Sequence, residues 1–210
     1  MTFFEKLGNQ VSSKQSYLCV GLDPVREKMP PHLPRTPEGL LEFLLEIVDE
    51  TKAYAVVFKP NFAYFEALGA SGMEVLQELI RKIPAEIPVL GDAKRGDVGH
   101  SAEMYAKAVF ETFECDAVTV TPYQGEDALR PFLAYRERGV FVLCITSNPG
   151  AADFQLPEMH LQVAKKVKGW NVAGNAGLVV GATRPENIAA VRKNSGKMPF
   201  LIPGVGAQGG

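Results

Sequence analysis

Short apolar runs alternate with amphipathic stretches from one end of the chain to the other. A helix is predicted over 2–11, with Thr2 as cap and Phe3, Phe4 and Leu7 on one face. The apolar run 17–22 predicts a first strand, ended by Asp23 and Pro24. Residues 24–36, rich in proline and basic residues, read as a loop. Thr36-Pro37 then opens a helix with proline at its first position, and Leu40, Leu41, Leu44, Leu45, Ile47 and Val48 recur at helical spacing. A second strand covers 55–59, followed by helical stretches over 61–68 and 72–83 that Gly69 and Gly72 divide. Further strands are predicted from Val89, over 117–121, over 140–146, over 177–181 and over 200–202. Helices near 100–113, from the Pro122 turn to Arg138, 158–169 and 184–193 separate them.

Seven strands that alternate with helices imply parallel strands joined by crossovers. Mainly apolar strands, buried on both faces, fit the same conclusion. The polar residues stand at the ends of the strands: Asp23, Lys59, Asp92, Lys94, Thr121, Ser147 and Thr183, then a final run rich in glycine. An open sheet concentrates such residues at one switch point, whereas a barrel spreads them around one mouth. The fold class expected is therefore α/β, a (β/α)8 TIM barrel. Such barrels take roughly 250 residues. The eighth strand and helix are read as missing from the C-terminus, so that 1–210 forms a single, C-terminally incomplete catalytic domain.

Composition narrows the class without naming a chemistry. A hydrophobic content of 46% and a charged content of 22% are those of an ordinary globular protein. A net charge of −2 argues against a general nucleic-acid surface. No apolar run reaches membrane-spanning length, and the N-terminus lacks the apolar core of a signal peptide, so a cytoplasmic protein is expected. Cys19, Cys115 and Cys144 are widely spaced and read as reduced, buried thiols. The three histidines are scattered, so no metal site is expected.

The chemistry gathers in the third strand, whose Asp92, Lys94 and Asp97 fall within six positions. In an extended strand, residues two apart point to the same face, their Cα atoms roughly 6.5 Å apart. An acid and a base side by side on a buried strand are costly unless paired or used. A structural ion pair would also explain them. Strands one to three are neighbours in a barrel, which brings Asp23, Lys59 and the Asp92/Lys94 pair to one mouth. The run from Pro203 to Gly210 stands where barrels hold phosphate, after strand seven. Ser147-Asn-Pro-Gly150 is either a tight turn or a donor set for a ring amide.

These motifs together resemble the orotidine 5′-monophosphate decarboxylases, in the bacterial subgroup with an Asp-Ala-Lys-Arg-Gly-Asp signature. The resemblance covers essentially the whole chain. It rests on Val20-Gly-Leu-Asp-Pro24, Phe58-Lys-Pro-Asn61, Asp92-Ala-Lys-Arg-Gly-Asp97, Thr146-Ser-Asn-Pro-Gly150, Gly177-Leu-Val-Val-Gly-Ala-Thr183 and Pro203-Gly-Val-Gly-Ala-Gln208. It implies cofactor-free decarboxylation of orotidine 5′-monophosphate to uridylate in pyrimidine biosynthesis. Lys94, Asp92, Lys59 and Asp97 would form the catalytic charge network, with Lys94 stabilising and protonating the carbanion. Asp23, Lys59, Asn61, Ser101, Ser147, Pro203, Gln208 and Gly209 would bind the nucleotide. The family more often has threonine where Ser101 stands, and the hydroxyl is kept. A homodimer is implied, with Asp97 and Ser101 contributed across the interface. Two other readings stay open: a magnesium-dependent sugar-phosphate decarboxylase or aldolase of the same barrel group, and a nucleotide-binding protein without catalysis. A Schiff-base role for Lys94 is disfavoured, because Asp92 and Asp97 would keep the amine protonated.

Overall fold

The structure is a computed structural model that describes residues 1–205 and 209. Its residues fall into two compact units, Met1–Ala93 with Lys107–Val118, and Lys94–Ala106 with Thr119–Gly210.

In the first unit, helix α1 (Phe3–Lys14) is started by a capping box. The Thr2 hydroxyl accepts from the Glu5 N–H while the Glu5 carboxylate accepts from the Thr2 N–H. Strand β1 (Leu18–Leu22) pairs in parallel with β2 (Ala55–Pro60), placing Gly21 opposite Lys59. Helix α2 (Pro37–Thr51) joins them, capped by Thr36, and buries Leu40, Leu44 and Val48 along one stripe. Phe58 bridges in parallel to Val89, and Asn61 to Asp92, just ahead of and within β3 (Leu90–Arg95). The Asp116 carboxylate fixes where that strand begins: it accepts the Val89 N–H at 2.8 Å and the Lys6 ammonium at 3.1 Å.

Helices α3 (Phe62–Glu66) and α4 (Gly69–Lys82) follow β2. Gly69–Gly72 reads in the sequence as a break, yet these residues form the first turn of α4. Gly72 belongs there because a Cβ would stand 2.1 Å from the Phe65 carbonyl oxygen. The glycine lets α4 lie against α3 and does not break it. The core of this unit is built from Leu22, Phe58, Phe62, Phe65, Leu76, Leu79 and Leu90.

In the second unit, β5 (Gly139–Ile145), β6 (Ala176–Val180) and β7 (Phe200–Leu201) run parallel, and every residue of β6 is buried. A strand covered on both faces needs no polar alternation, which is why the sequence reads as a plain apolar run there. Among the described residues the sheet order is β3-β4-β5-β6-β7, with β4 at Ala117–Val120. The remaining helices are α5 (Gly99–Lys107), continued by a π-helical turn over Ala108–Thr112, α6 (Glu126–Leu133), α7 (Ala151–Phe154), α8 (Met159–Trp170) and α9 (Pro185–Ser195). Helix α6 ends at Leu133, short of the predicted Arg138. The Asn175 amide donates to the carbonyls of Leu133, Tyr135 and Arg138, so a side chain takes up carbonyls of the turns that follow α6. No helix among the described residues is long and apolar enough to cross a membrane.

Candidate active site

In the first unit, three predicted residues meet at the ends of their strands. The Lys59 ammonium lies 3.3 Å from Asp92 Oδ2 and 3.8 Å from Asp23 Oδ1. Register explains the meeting: Gly21 faces Lys59 across β1 and β2, and Asp23 follows two residues on. The Asp23 carboxylate stands over Gly21, its oxygens 3.8 Å from where a Cβ would be, an ordinary contact distance. Asp92 is buried, with only 9% of its surface exposed. A carboxylate so placed needs a cation, and Lys59 supplies it. Burial alone would push the Lys59 ammonium down, but Asp92 and Asp23 together outweigh it and hold its pKa above the usual lysine value. Lys59 therefore stays charged at neutral pH.

Cys19 faces the same charges, although the sequence marks it only as a structural thiol. Burial pushes its pKa up to about 11, against the pull of Lys59, so it is a neutral group beside the triad. As a residue Cys19 is half-buried, where the sequence predicts full burial, while Cys115 and Cys144 are buried. Asn61 has a visible structural role. Its side-chain oxygen accepts the Ala63 N–H at 3.2 Å and so caps α3.

In the second unit, Lys94 has a backbone the sequence does not foretell. Its φ is +46°, in the left-handed region that side chains rarely adopt. A non-glycine residue held there costs on the order of 1–3 kcal/mol, and such strain collects at functional sites. The alternation rule presumes an extended chain, so the shared face predicted for Asp92 and Lys94 does not follow at Lys94. The Lys94 N–H donates to Thr119 Oγ1 at 3.0 Å. One residue later the Thr121 N–H donates to the Arg95 carbonyl at 2.9 Å. Gly96 is required by the same close approach: a Cβ would sit 2.0 Å from Thr121 Cγ2. The Arg95 guanidinium lies over the Tyr105 ring, 5.1 Å from its centroid. Asp97 is half-buried and accepts the Val98 N–H at 2.8 Å, while Ser101 is exposed on α5.

The other predicted residues of this unit gather where β5, β6 and β7 end. The Thr183 hydroxyl donates to the Ser147 carbonyl at 3.0 Å, and the Ala182 N–H donates to the Pro203 carbonyl at 2.9 Å. Gly181 permits the first contact, since a Cβ there would come within 2.8 Å of Ser147 N. Gln155 braces the same loop by accepting the Thr146 N–H at 2.8 Å. Gly204 and Gly209 both have positive φ, a backbone that glycine adopts without steric cost. Gln208 lies outside the described residues. Among the described residues no group of three or more His, Cys, Asp or Glu side chains is placed to hold a metal ion.

Residues 16–210 match the model of the Orotidine 5′-phosphate decarboxylase / HUMPS family. The chain belongs to this family. An orotidine 5′-phosphate decarboxylase of Roseiflexus sp. (strain RS-1) is 49% identical over 217 residues, covering 100% of this chain and 79% of the relative. One from Azoarcus sp. (strain BH72) is 47% identical over 219 residues, covering 100% and 80%. Among solved structures, Leishmania donovani OMP decarboxylase is 42% identical at TM-score 0.91, covering 99% of this chain and 81% of its own. Leishmania donovani UMP synthase is 44% identical at TM-score 0.92, covering 100% of this chain and 46% of its own. The fold class is accordingly α/β, of the (β/α)8 TIM-barrel type, as the alternation of strands and helices predicts.

Reasoning from sequence passed over Thr119, whose hydroxyl oxygen accepts the Lys94 N–H. A signal was present. Thr119 is a polar residue inside the apolar run 117–120 and lies two positions before Thr121, on the same face of an extended strand.

Proposed function

We propose that the chain is an orotidine 5′-phosphate decarboxylase that converts its substrate to uridylate and CO2 without a cofactor, in de novo pyrimidine synthesis. The Asp23–Lys59–Asp92 arrangement, in a chain of this family, carries the reading. Breaking the bond from C6 of the pyrimidine to the carboxylate leaves an electron pair in the plane of the ring. That pair is orthogonal to the π system and cannot delocalise into it. A preorganised positive charge beside C6 is then the most direct stabilisation available.

Lys94 supplies that charge. Its ammonium stabilises the developing carbanion, transfers a proton to C6 as CO2 departs, and is reprotonated from solvent. Asp92 lies near the departing carboxylate and disfavours it in the ground state. Lys59, held cationic by its two carboxylates, balances Asp92 and with Asp23 binds the ribose hydroxyls. Asn61 and Ser147 contact the nucleotide, Ser147 at the pyrimidine. Pro203, Gln208 and Gly209 enclose the phosphate, whose binding energy is used toward the transition state. Two copies of the chain form the working enzyme, each lending Asp97 and Ser101 to the other's site, and they work in the cytoplasm.

The test is release of labelled CO2 from carboxyl-labelled orotidine 5′-phosphate, run with and without a chelator. Equimolar CO2 and uridylate, unaffected by chelation, is the expected result. Release that chelation abolishes would transfer the chain to the magnesium-dependent branch. Uridylate binding with no release would leave a binding protein.

A further inference from the structure

We propose that Thr119 is a positioning residue for Lys94, its hydroxyl oxygen holding the lysine's main chain in the left-handed conformation from which the side chain departs. The proposal rests on the reading of Lys94 as the proton donor. The Lys94 N–H donates to Thr119 Oγ1 at 3.0 Å, while the neighbouring bond, from the Thr121 N–H to the Arg95 carbonyl at 2.9 Å, is an ordinary main-chain one. At Lys94 the acceptor is thus a side-chain oxygen and not a main-chain carbonyl. Within β3, positive φ occurs only at this residue, at +46°.

Two features suit Thr119 to this. It is only 1% exposed, so water is poorly placed to replace it as acceptor. Its branched Cβ restricts χ1, which fixes the oxygen better than serine would. A main-chain N–H left without a partner in such surroundings is strongly disfavoured. The bond therefore favours the strained conformation over the extended one. The direction in which Lys94 leaves the strand is set by a residue 25 positions away in the sequence.

Thr119→Val keeps the shape and removes the acceptor, and Thr119→Ser keeps the acceptor and loses the methyl. In the full chain, Thr119→Val is expected to lower kcat by about tenfold to a hundredfold, the size of effect a small misplacement of a reacting group produces. KM for orotidine 5′-phosphate should stay within about twofold, and Thr119→Ser should restore most of kcat. Hydrogen exchange at the Lys94 amide should accelerate in Thr119→Val and not in Thr119→Ser. If valine prevents folding, Thr119→Ala carries the same expectation. A kcat for Thr119→Val within about twofold of the wild type overturns the proposal, as does equal impairment by valine and serine. A wild-type protein that releases no CO2, but whose Lys94 amide responds as described, overturns the decarboxylase reading and leaves Thr119 as the holder of this backbone.

Discussion

Lys59 and Lys94 are both lysines at the ends of strands, and the structure fixes them at different points. Lys59 is fixed at its head. Its ammonium sits between two carboxylates, 3.3 and 3.8 Å away, near the end of a parallel register. At Lys94 the fixed point on view is the base. The residue is exposed, while its main chain is strained and tied to Thr119. A position set by charge pairing lasts only as long as the charge, which suits a lysine that keeps its proton. A position set by the main chain does not depend on protonation, which suits a group that must give up a proton and regain it.

The largest expected effect separates the two directly. Lys94→Ala should reduce turnover by at least about a thousandfold, as loss of a preorganised charge at a reacting centre does. Uridylate affinity should fall by less than about tenfold. Melting temperature should hardly move, because truncating an exposed side chain opens no cavity. Near-normal turnover of Lys94→Ala would remove the proton-donor role and the comparison with it.

Lys59→Met should instead cost stability, about 2–3 kcal/mol, by taking the cation from between Asp92 and Asp23. The lower end is favoured because the Asp23 side chain is 38% exposed and solvent screens it. Its pH dependence has a definite sign. The folded-state pKa of Lys59 is raised above 10.5. The stabilisation is thus complete below 10.5, the unfolded value, and is lost as pH rises through the folded one. Denaturant melts of wild type and variant should differ fully at about pH 8 and converge only above 10.5. A difference that vanished on mild acidification toward neutral pH would contradict this.

The same contrast marks what is legible in the sequence. The Lys59 triad can be read because it follows from two regular rules, alternation along a strand and pairing of neighbours. The βα order is legible for the same reason: apolar periodicity changes at every boundary. Where single contacts decide the structure, the reading fails. Gly72 looks like a breaker because its role depends on the Phe65 carbonyl. The sequence puts the end of α6 too late because Asn175, 42 residues beyond Leu133, takes up the carbonyls. The conformation of Lys94 is hidden because lysine has no preference for positive φ. The Lys94 N–H meets a threonine on the next strand, and a glycine that no side chain could replace follows two positions on.

That glycine gives the smallest of these effects and the finest test of the contrast. Gly96 has no room for a methyl, since Thr121 Cγ2 stands 2.0 Å from the Cβ position. Gly96→Ala must push the ends of β3 and β4 apart, at a cost of about 1–2 kcal/mol. The displaced segment lies next to the Thr121–Arg95 bond and two residues from Lys94. Turnover should therefore drop more than stability does. Adding Thr121→Ser removes the obstructing methyl and keeps a hydroxyl, so the double variant should recover both. If the position of the Lys94 ammonium were set at the head, as that of Lys59 is, its flexible side-chain bonds would absorb an error in the backbone, and Gly96→Ala would lower stability alone. A fall in kcat that Thr121→Ser repairs is what a lysine aimed from its base must produce.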